Sequence, residues 1–335
     1  MNIIAKTKIW FTLSSVLVGL SILALIIWGL KPGVDFTGGS LMRLEFSKER
    51  IDNKQIEEAL NDFNPSTEEN NSKEIVLGIT DDKDFEEYGK ITIQTIGEKE
   101  VILKLKAMDE KTHQEALRKI KEKTAEVQGH LAEENKELVT EVKFDSIGPS
   151  IGKELREKSK VAVVIVMLAI IGFIAWAFRG VSSQINKYES FRYGIVAIVA
   201  LVHDILITLG LFAVLGHFVG VEIDTFFIAA LLTILGYSVN DTIVILDRIR
   251  ENVLKGGSKN FGEAVNKSVN ETLVRSINTS TTTLLVLACI LFFGGQSTFY
   301  FVLALMVGII SGTYSSIFLA SPLLVWWKQK KDKFS

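Results

Sequence analysis

Six long apolar runs constrain the fold of this chain more than any other feature of its sequence. They cover residues 9–30, 161–178, 193–216, 224–247, 277–294 and 299–326. A run of about 18 or more apolar residues is long enough to cross a bilayer as a helix, because each helical residue adds about 1.5 Å. The runs therefore predict an α-helical polytopic membrane protein with six transmembrane helices.

The first run predicts a retained membrane helix rather than a cleaved signal peptide. It is longer than the apolar core of a signal peptide, and Lys6 and Lys8 lie at its start. Trp10 and Trp28 lie near its two ends, where tryptophans of membrane helices meet the water interface. This helix is therefore expected to stay in the mature protein.

Lysine and arginine residues are concentrated in alternate loops, which predicts the orientation of the helices. The N-terminus, the loops after the second and fourth runs, and the C-terminal tail each carry two or more. The short loops at 217–223 and 294–297 carry none. Because cytoplasmic loops are enriched in these residues, both termini are predicted to be cytoplasmic and residues 31–160 extracytoplasmic. The predicted location is the cytoplasmic (inner) membrane, which the chain crosses several times.

Residues 31–160 are rich in charged residues and long enough for one compact domain. Periodic patterns predict strands at 40–46, 91–96, 101–106 and 138–144, helices at 52–61 and 110–131, and an additional strand at 75–79. The order β-α-β-β-α-β is typical of a ferredoxin-like α+β fold. The predicted domains are the N-terminus and first span (1–30), the extracytoplasmic domain and linker (31–160), a five-helix membrane region (161–327) and a basic cytoplasmic tail (328–335).

Two aspartates lie in the interior of predicted membrane helices, away from the helix ends. Asp204 is near the middle of the third run, and Asp241 follows Asn240 in the fourth. A carboxylate at bilayer depth costs roughly 3 kcal/mol on insertion scales, so it is expected to face the bundle interior and to have a function. Polar sites in neighbouring apolar helices favour a proton- or ion-coupled transporter, with Asp204, Asn240 and Asp241 as candidates for its proton pathway. The alternative is that these groups only hydrogen-bond one another and fix the register of the helices.

The sequence argues against an enzyme. It contains no metal-binding H-E-x-x-H pattern, and its one cysteine, Cys289, cannot form a disulfide within the chain. His203, Asp204 and Ser238 can be drawn as an intramembrane hydrolase. Adjacent residues of a helix point about 100° apart, however, so His203 and Asp204 cannot both approach one serine well. We therefore expect no covalent catalysis, cofactor or metal.

Several motifs resemble the SecD/SecF family, the auxiliary subunits of Sec protein translocation. They are 33–39 (GVDFTGG), 144–152 (FDSIGPSIG), 202–204 (VHD), 236–244 (GYSVNDTIV), 247–252 (DRIREN) and 275–283 (RSINTSTTT). The last four are similar to the SecF branch in particular. The resemblance covers the membrane region in order, whereas residues from about 60 to 100 carry no matching motif.

The resemblance implies a function and a set of partners. The family belongs to the resistance-nodulation-division superfamily, whose members couple proton flow to motion of an external domain. It implies a SecD-like subunit, the SecYEG channel, a translocating preprotein and membrane lipid as partners, and no nucleic acid. It also implies that Asp204 is the proton-site carboxylate. Asp241 and either Arg248 or Arg250 would lie near the proton path.

Two other functions remain as alternatives at the level of sequence. One is a structural subunit that holds SecD and other membrane factors together, with Asp204 as a link between helices. The other is a relative in the same superfamily that exports lipids or small molecules. Such an exporter usually needs two six-helix halves and larger external domains than the one in this chain.

Overall fold

The computed structural model describes residues 2–48, 50–61, 91–128, 138–178, 187–256 and 260–332 of the 335-residue chain. The chain forms two compact units, one of Met1–Lys31 with Lys158–Ser335 and the other of Pro32–Glu157. The strand predicted at 75–79 and the end of the helix predicted to reach residue 131 lie outside the described residues.

Within the described residues, six helices are long and apolar enough to cross a membrane, as predicted from the apolar runs. These six spans are Ile4–Ile27, Pro149–Ala177, Phe191–Phe218, Thr225–Leu254, Phe261–Phe293 and Thr298–Gln329. The prediction of a six-helix polytopic fold is confirmed. Several helices are longer than their apolar runs, because hydropathy marks the bilayer crossing and not the polar turns that continue the helix.

The ends of the helices follow local capping chemistry. The fifth span begins at Phe261 rather than near residue 277, and the side chain of Asn260 accepts a hydrogen bond from the Glu263 backbone at 2.8 Å. The first span ends at Ile27 rather than at residue 30. Gly29 follows it with a φ of 65°, the left-handed backbone that commonly terminates a helix.

Small residues allow the membrane helices to approach closely. A Cβ atom added at Gly308 of the sixth span would lie 2.6 Å from Cγ2 of Ile234 in the fourth span. One added at Gly210 of the third span would lie 2.5 Å from Cα of Ser21 in the first span. The apolar side chains gain little by leaving lipid for the bundle, so close packing of this kind is a main source of helix association.

Among the described residues of the membrane unit, the buried apolar side chains form two clusters. One contains Val196, Ala200 and Leu201 of the third span, and the other contains Phe212 of the same span. Asp204 therefore lies along the third span between residues of the two clusters. Buried apolar residues thus lie on both sides of Asp204 along the third span.

The described residues of the second unit form a four-stranded antiparallel sheet with helices. In chain order its elements are α1 (Val34–Thr37), β1 (Gly39–Phe46), α2 (Asn53–Ala59), β2 (Thr92–Ile96), β3 (Glu100–Leu105), α3 (Glu110–Gln128) and β4 (Val139–Ile147). The strand order is β2-β3-β1-β4. The two crossovers through α2 and α3 make this the split β-α-β arrangement of a ferredoxin-like fold, and the predicted α+β class is confirmed.

The two glycine-containing motifs of this unit meet at one end of the sheet. Pairing of β1 with β4 places Gly39 opposite Ile147. Gly38 therefore lies beside Pro149, where the helix of the second span begins. Gly38 has a φ of 79°, and a Cβ there would lie 2.8 Å from Cα of Pro149. A Cβ at Gly152 would lie 2.7 Å from the backbone nitrogen of Gly38. Both positions therefore require glycine for reasons of space.

Candidate functional site

Asp204 is fully buried in the third span and is the only aspartate or glutamate of the described residues in the buried class. Three serine hydroxyls from two other helices donate to its carboxylate. Ser238 of the fourth span donates to Oδ2 at 2.5 Å. In the sixth span, Ser315 donates to Oδ2 at 2.8 Å and Ser311 to Oδ1 at 2.9 Å. The carboxylate thus links the third, fourth and sixth spans.

Asp241 of the fourth span has a second set of hydroxyl partners. Ser276 of the fifth span donates to its Oδ1 at 2.5 Å, and Ser316 of the sixth span donates to its Oδ2 at 2.6 Å. Asp241 is only partly buried, in contrast to Asp204. Both carboxylates therefore accept hydrogen bonds from serine hydroxyls, but Asp204 is fully buried and Asp241 is partly exposed.

Adjacent serines of the sixth span connect the two carboxylates. Ser315 contacts Asp204 while Ser316 contacts Asp241. The α-helix ends at Ser315, and a π-helical segment runs from Ser316 to Ala320 before the α-helix resumes at Ser321. Short π-helical insertions are rare and frequently occur at functional sites. Here the insertion begins at the residue that contacts Asp241.

His203 contacts Asp204 from the preceding position of the same helix. Its Nδ1 lies 2.9 Å from Asp204 Oδ1, and its side chain is buried. Its other ring nitrogen, Nε2, is buried and has no hydrogen-bond partner among the described residues. The imidazole stacks on Tyr314 of the sixth span, with ring centroids 6.0 Å apart. Asp204 is therefore in direct contact with a second ionisable group.

A small pocket lies beside Asp241. Its volume is about 80 Å³, and it is lined by Tyr237, Asn240, Asp241, Val244, Arg275 and Thr279. Asn240 points to this outer side of the fourth span and is exposed, whereas Ser238 two residues earlier is buried against Asp204. The side chains of Asn240 and Asp204 therefore lie on different faces of the bundle.

The two predicted arginines form ion pairs near the end of the fourth span. Arg248 contacts Glu251 at 2.5 Å and Glu271 of the fifth span at 2.6 Å. Arg250 lies 3.3 Å from Asp247. Of the five residues proposed from sequence, the structure thus brings Asp204 and Asp241 together through serines and places Asn240 beside Asp241. It places Arg248 and Arg250 among acidic partners of their own.

The serine ligands of both carboxylates were not assigned a functional role from the sequence. Ser311 and Ser315 are four residues apart, which places them on one face of the sixth helix. That spacing, in a helix with no charged residue between 299 and 326, is the signal that could have identified them. Their partner could not be read from spacing alone, because it depends on the rotation of the sixth helix against the third.

The described residues contain no group of three or more His, Cys, Asp or Glu side chains arranged to hold a metal ion. The site brings together two carboxylates, an imidazole and neutral hydroxyls. A hydroxyl donates one hydrogen bond and accepts others, and its hydrogen rotates freely. Such a site can adapt its hydrogen bonds to the gain or loss of one proton.

The family model described as protein export membrane protein SecD/SecF, C-terminal, matches residues 127–330. A second model, the SecD/SecF GG motif, matches residues 24–49. The chain belongs to the SecD/SecF family. This confirms the resemblance found in the sequence motifs, and the second match covers Gly38, which packs against Pro149 and Gly152.

Relatives of the SecD/SecF family match almost the whole chain. The protein translocase subunit SecF of Thermobaculum terrenum is 38% identical over 333 residues, covering 98% of this chain and 95% of the relative. The SecF subunit of Anaerolinea thermophila is 34% identical, covering 98% and 94% respectively. The SecF subunit of Synechocystis sp. is 34% identical, with 94% and 90% covered.

Two solved SecDF structures share the fold. SecDF of Thermus thermophilus, described as a translocon-associated membrane protein, matches with a TM-score of 0.69 and 30% identity. SecDF in a super-membrane-facing form matches with a TM-score of 0.61 and 28% identity. This chain is covered to 98% and 99%, but it spans only 39% of each SecDF chain. The SecDF chains therefore contain a large part that has no counterpart here.

Proposed function

We propose that this protein is an accessory subunit of the Sec protein translocase that uses the proton motive force to promote late-stage protein export across the cytoplasmic membrane. Membership of the SecD/SecF family and full-length similarity to SecF subunits support a role in Sec-associated export. The buried carboxylate site supports the coupling to protons. The protein is a transporter-type subunit and not an enzyme.

The observation that carries the proton coupling is the complete burial of Asp204 among serine hydroxyls. When Asp204 is ionised, its two oxygens accept all of these hydrogen bonds. When it is protonated, its own O–H needs an acceptor, which a rotated serine hydroxyl or Nδ1 of His203 can supply. The desolvation cost of the charge disappears at the same time. Both protonation states are therefore accommodated, with different hydrogen bonds between the helices.

The sixth span is the element most directly affected by such a change. Through Ser311, Ser315 and Ser316 it is held by both carboxylates, which belong to the third and fourth spans. Protonation of Asp204 weakens the hold of the third span on the sixth, while Asp241 continues to bind Ser316. Proton uptake and release would then move these helices relative to one another. This motion is the step that export uses.

The contacts of Ser238 support a transporter rather than a hydrolase. In a serine hydrolase the nucleophile donates to the base histidine. Here Ser238 donates to Asp204, and His203 contacts the same carboxylate from the other oxygen. Serine and histidine are therefore both ligands of the carboxylate and do not form a nucleophile–base pair.

The part of the SecDF chains that this protein does not match supports a SecD-like partner, and membership of the family supports a place in the Sec translocase. A SecD-like subunit would supply that part, and the resulting pair would act with the SecYEG channel on a translocating preprotein within the lipid bilayer. The exposed side of the fourth span, with Asn240 and the pocket beside Asp241, is available to such a subunit. Arg275 lines the same pocket and offers a positive charge near Asp241.

The orientation proposed for the chain places both termini in the cytoplasm and residues 31–160 outside it. Reporter fusions after residue 100 and after residue 332 test this directly. The first should report an external position and the second a cytoplasmic one. The same side for both fusions would refute the orientation, although it would leave family membership unchanged.

The proton coupling is tested with Asp204→Asn. Asparagine keeps the size of aspartate and most of its hydrogen-bonding ability but cannot titrate. The variant should assemble with its SecD-like partner, while stimulation of preprotein export by the proton gradient should be lost. Export is measured in membranes that contain the partner and the channel, with the gradient present and then collapsed.

The matched control for this experiment is Asp224→Asn. The side chain of Asp224 caps the fourth span by accepting from the Phe227 backbone at 2.8 Å, and asparagine caps equally well. This variant should retain gradient-stimulated export. If Asp204→Asn also retains it, Asp204 is a structural link between helices, and the protein is a scaffold subunit without proton coupling.

A further inference from the structure

A cavity lies where the end of the fourth span, the start of the fifth and the end of the sixth come together. Its volume is about 250 Å³, and its lining includes Asn252 and Val253 of the fourth span, Phe261 and Ala264 of the fifth, and Lys328 of the sixth. Pockets that hold a complete small-molecule ligand measure roughly 300–1,000 Å³. This cavity is therefore of a size for one small polar group of a larger molecule.

The charge of the cavity favours an anion. Lys328 is the only charged residue among the described residues that line it. Its Nζ lies 4.2 Å from the centre of the Phe261 ring, a cation–π contact that holds the ammonium group at the cavity. Lys328 is partly buried and forms no ion pair with a described carboxylate, whereas Arg248, Lys255 and Lys267 near the same helix ends each contact a glutamate. The cavity therefore carries a positive charge that no acidic side chain of the described residues neutralises.

The cavity lies at the level where phospholipid headgroups are expected. It is formed by the ends of apolar spans, and Trp326 and Trp327 directly precede Lys328 at the end of the sixth span. Tryptophans at the ends of membrane helices lie at the headgroup level. Leu254, which follows Val253 of the lining, is 42% exposed and offers apolar surface next to the cavity.

We propose that this cavity binds the phosphate of an anionic phospholipid. Basic pockets between membrane helices recognise such headgroups, and the ammonium group of Lys328 supplies the charge. The dipole of the fifth span, which begins at Phe261, also favours negative charge here. A free phosphate ion has the same charge but gains nothing from the exposed Leu254, whereas an acyl chain can cover it. The inference does not depend on the proton coupling proposed above.

The test measures the first phospholipid that the full-length protein binds, by native mass spectrometry in detergent titrated with phosphatidylglycerol. Lys328→Gln should weaken this binding about fivefold, the factor expected for one lysine close to an anionic lipid surface. Lys328→Arg keeps the positive charge and can still stack on Phe261, so it should bind as the wild type does. Phosphatidylcholine, which has no net charge, should bind more weakly than phosphatidylglycerol.

The matched control is Lys8→Gln. Lys8 is an exposed lysine of the first span. It lies near the same end of the bundle, since the backbone nitrogen of Ile3 donates to Asn266 of the fifth span at 2.9 Å. Loss of its charge should leave the affinity for the first phosphatidylglycerol unchanged. Equal weakening in Lys8→Gln and Lys328→Gln would show diffuse attraction to basic residues and would overturn a defined site.

A second measurement uses the wild-type protein in lipid nanodiscs that contain phosphatidylglycerol with a photoreactive headgroup. Cross-links should map to the peptides that carry Val253, Phe261 or Lys328, and they should disappear when unlabelled phosphatidylglycerol is added in excess. Cross-links confined to other segments would overturn the proposal even if Lys328→Gln does not fold.

Inorganic phosphate distinguishes a lipid from a soluble anion. It should not displace phosphatidylglycerol at concentrations comparable to those of the lipid. Displacement at such concentrations would assign the cavity to a soluble anion and would overturn the choice of a lipid. Wild-type affinity in Lys328→Gln, or equal affinity for phosphatidylcholine and phosphatidylglycerol, would show that the charge of Lys328 has no part in binding and would refute the proposal.

Discussion

The core of the unit Pro32–Glu157 and the core of the membrane unit bury different kinds of side chain. In the first, the fully buried residues are mainly large and apolar, such as Met42, Leu44 and Leu103 from neighbouring strands. In the second, Asp204, Ser315 and Ser316 are fully buried, while Phe292 and Phe293 are 77% and 89% exposed. Water drives the first arrangement, whereas the second is the arrangement expected in lipid.

The difference shows that the two units are stabilised in different ways. Burial of apolar surface stabilises the α+β unit, and its buried polar side chains are neutral or paired, as with Ser40 and Ser146 at 2.9 Å. Lipid gives the membrane unit little comparable gain. Its helices associate through small residues, and the polar groups that it buries include an ionisable carboxylate. We therefore expect the α+β unit to be most sensitive to the loss of buried apolar volume. The membrane unit should be most sensitive to volume added at closely packed glycines.

The largest expected effect is in the apolar core of the α+β unit. Leu103 is fully buried in β3 and pairs with Met42 of β1 and Ile93 of β2. Leu103→Ala should lower the free energy of unfolding by about 2–5 kcal/mol, because it removes buried apolar volume and leaves a cavity. The fall is measured by urea unfolding of a fragment of residues 36–146, which we expect to fold alone with mixed α/β circular dichroism.

Val142→Ala is the control for this substitution, since Val142 on β4 is 50% exposed. It should change the free energy of unfolding by much less than Leu103→Ala. Equal losses in the two variants would mean that the sheet does not bury one face against a core. A disordered fragment would show that this unit needs the membrane helices in order to fold.

The membrane unit should be destabilised most by volume added where two helices are in close contact. Gly210→Ala would place a methyl group against the backbone of Ser21, so the first and third spans must separate. The expected loss is about 1–3 kcal/mol, measured as a lower thermal midpoint of the protein in detergent. Gly172→Ala is the control, because a Cβ there meets nothing within 4 Å. A similar loss at both glycines would contradict close packing at Gly210.

The hydroxyls of the membrane site should contribute more to function than to stability. Ser315→Ala removes one donor to Asp204 and should cost about 0.6 kcal/mol, the average for hydrogen bonds between membrane helices. Gradient-stimulated export should nevertheless fall clearly. Ser321→Ala is the control, because this buried serine of the same span donates to the Ser316 carbonyl at 3.2 Å instead of to a carboxylate. Equal export by both variants would contradict a role for Ser315 in coupling.

The smallest expected effect is a pH dependence at the surface of the α+β unit. Asp109 precedes α3 and accepts from the side chain and the backbone of Thr112, at 2.5 Å and 3.0 Å. These hydrogen bonds, the side-chain one first, lower the pKa of Asp109 below its usual value. Its stabilising effect should therefore be present above about pH 4 and disappear as the pH falls through the lowered pKa.

This pH dependence is measured by comparing the thermal midpoints of wild type and Asp109→Asn between acid and neutral pH. The difference between them should shrink in acid, since asparagine does not titrate. Glu115→Gln, which changes an exposed carboxylate on the same helix, serves as the control. A difference that is constant with pH would show that the carboxylate of Asp109 adds nothing beyond an amide.

Features with a strong periodic signal could be predicted from the sequence. The six spans follow from apolar runs, the four described strands from alternation, and the burial of Asp204 from the cost of a carboxylate in lipid. The contacts of Ser315 and Ser316 could not, because they depend on helix rotation and on the π-helical segment that begins at Ser316. Nor could the contact of Gly38 with Gly152, which joins segments far apart in the chain.

The central claim is that Asp204 gains and loses a proton inside the membrane. It is measured most directly by infrared spectroscopy of the full-length protein in lipid vesicles, with the carbonyl stretch of protonated carboxyl groups followed across a pH titration. A band that rises as the pH falls and is missing from Asp204→Asn, but present in Asp224→Asn, is the predicted result. Identical carboxyl spectra for wild type and Asp204→Asn at every pH would contradict the claim.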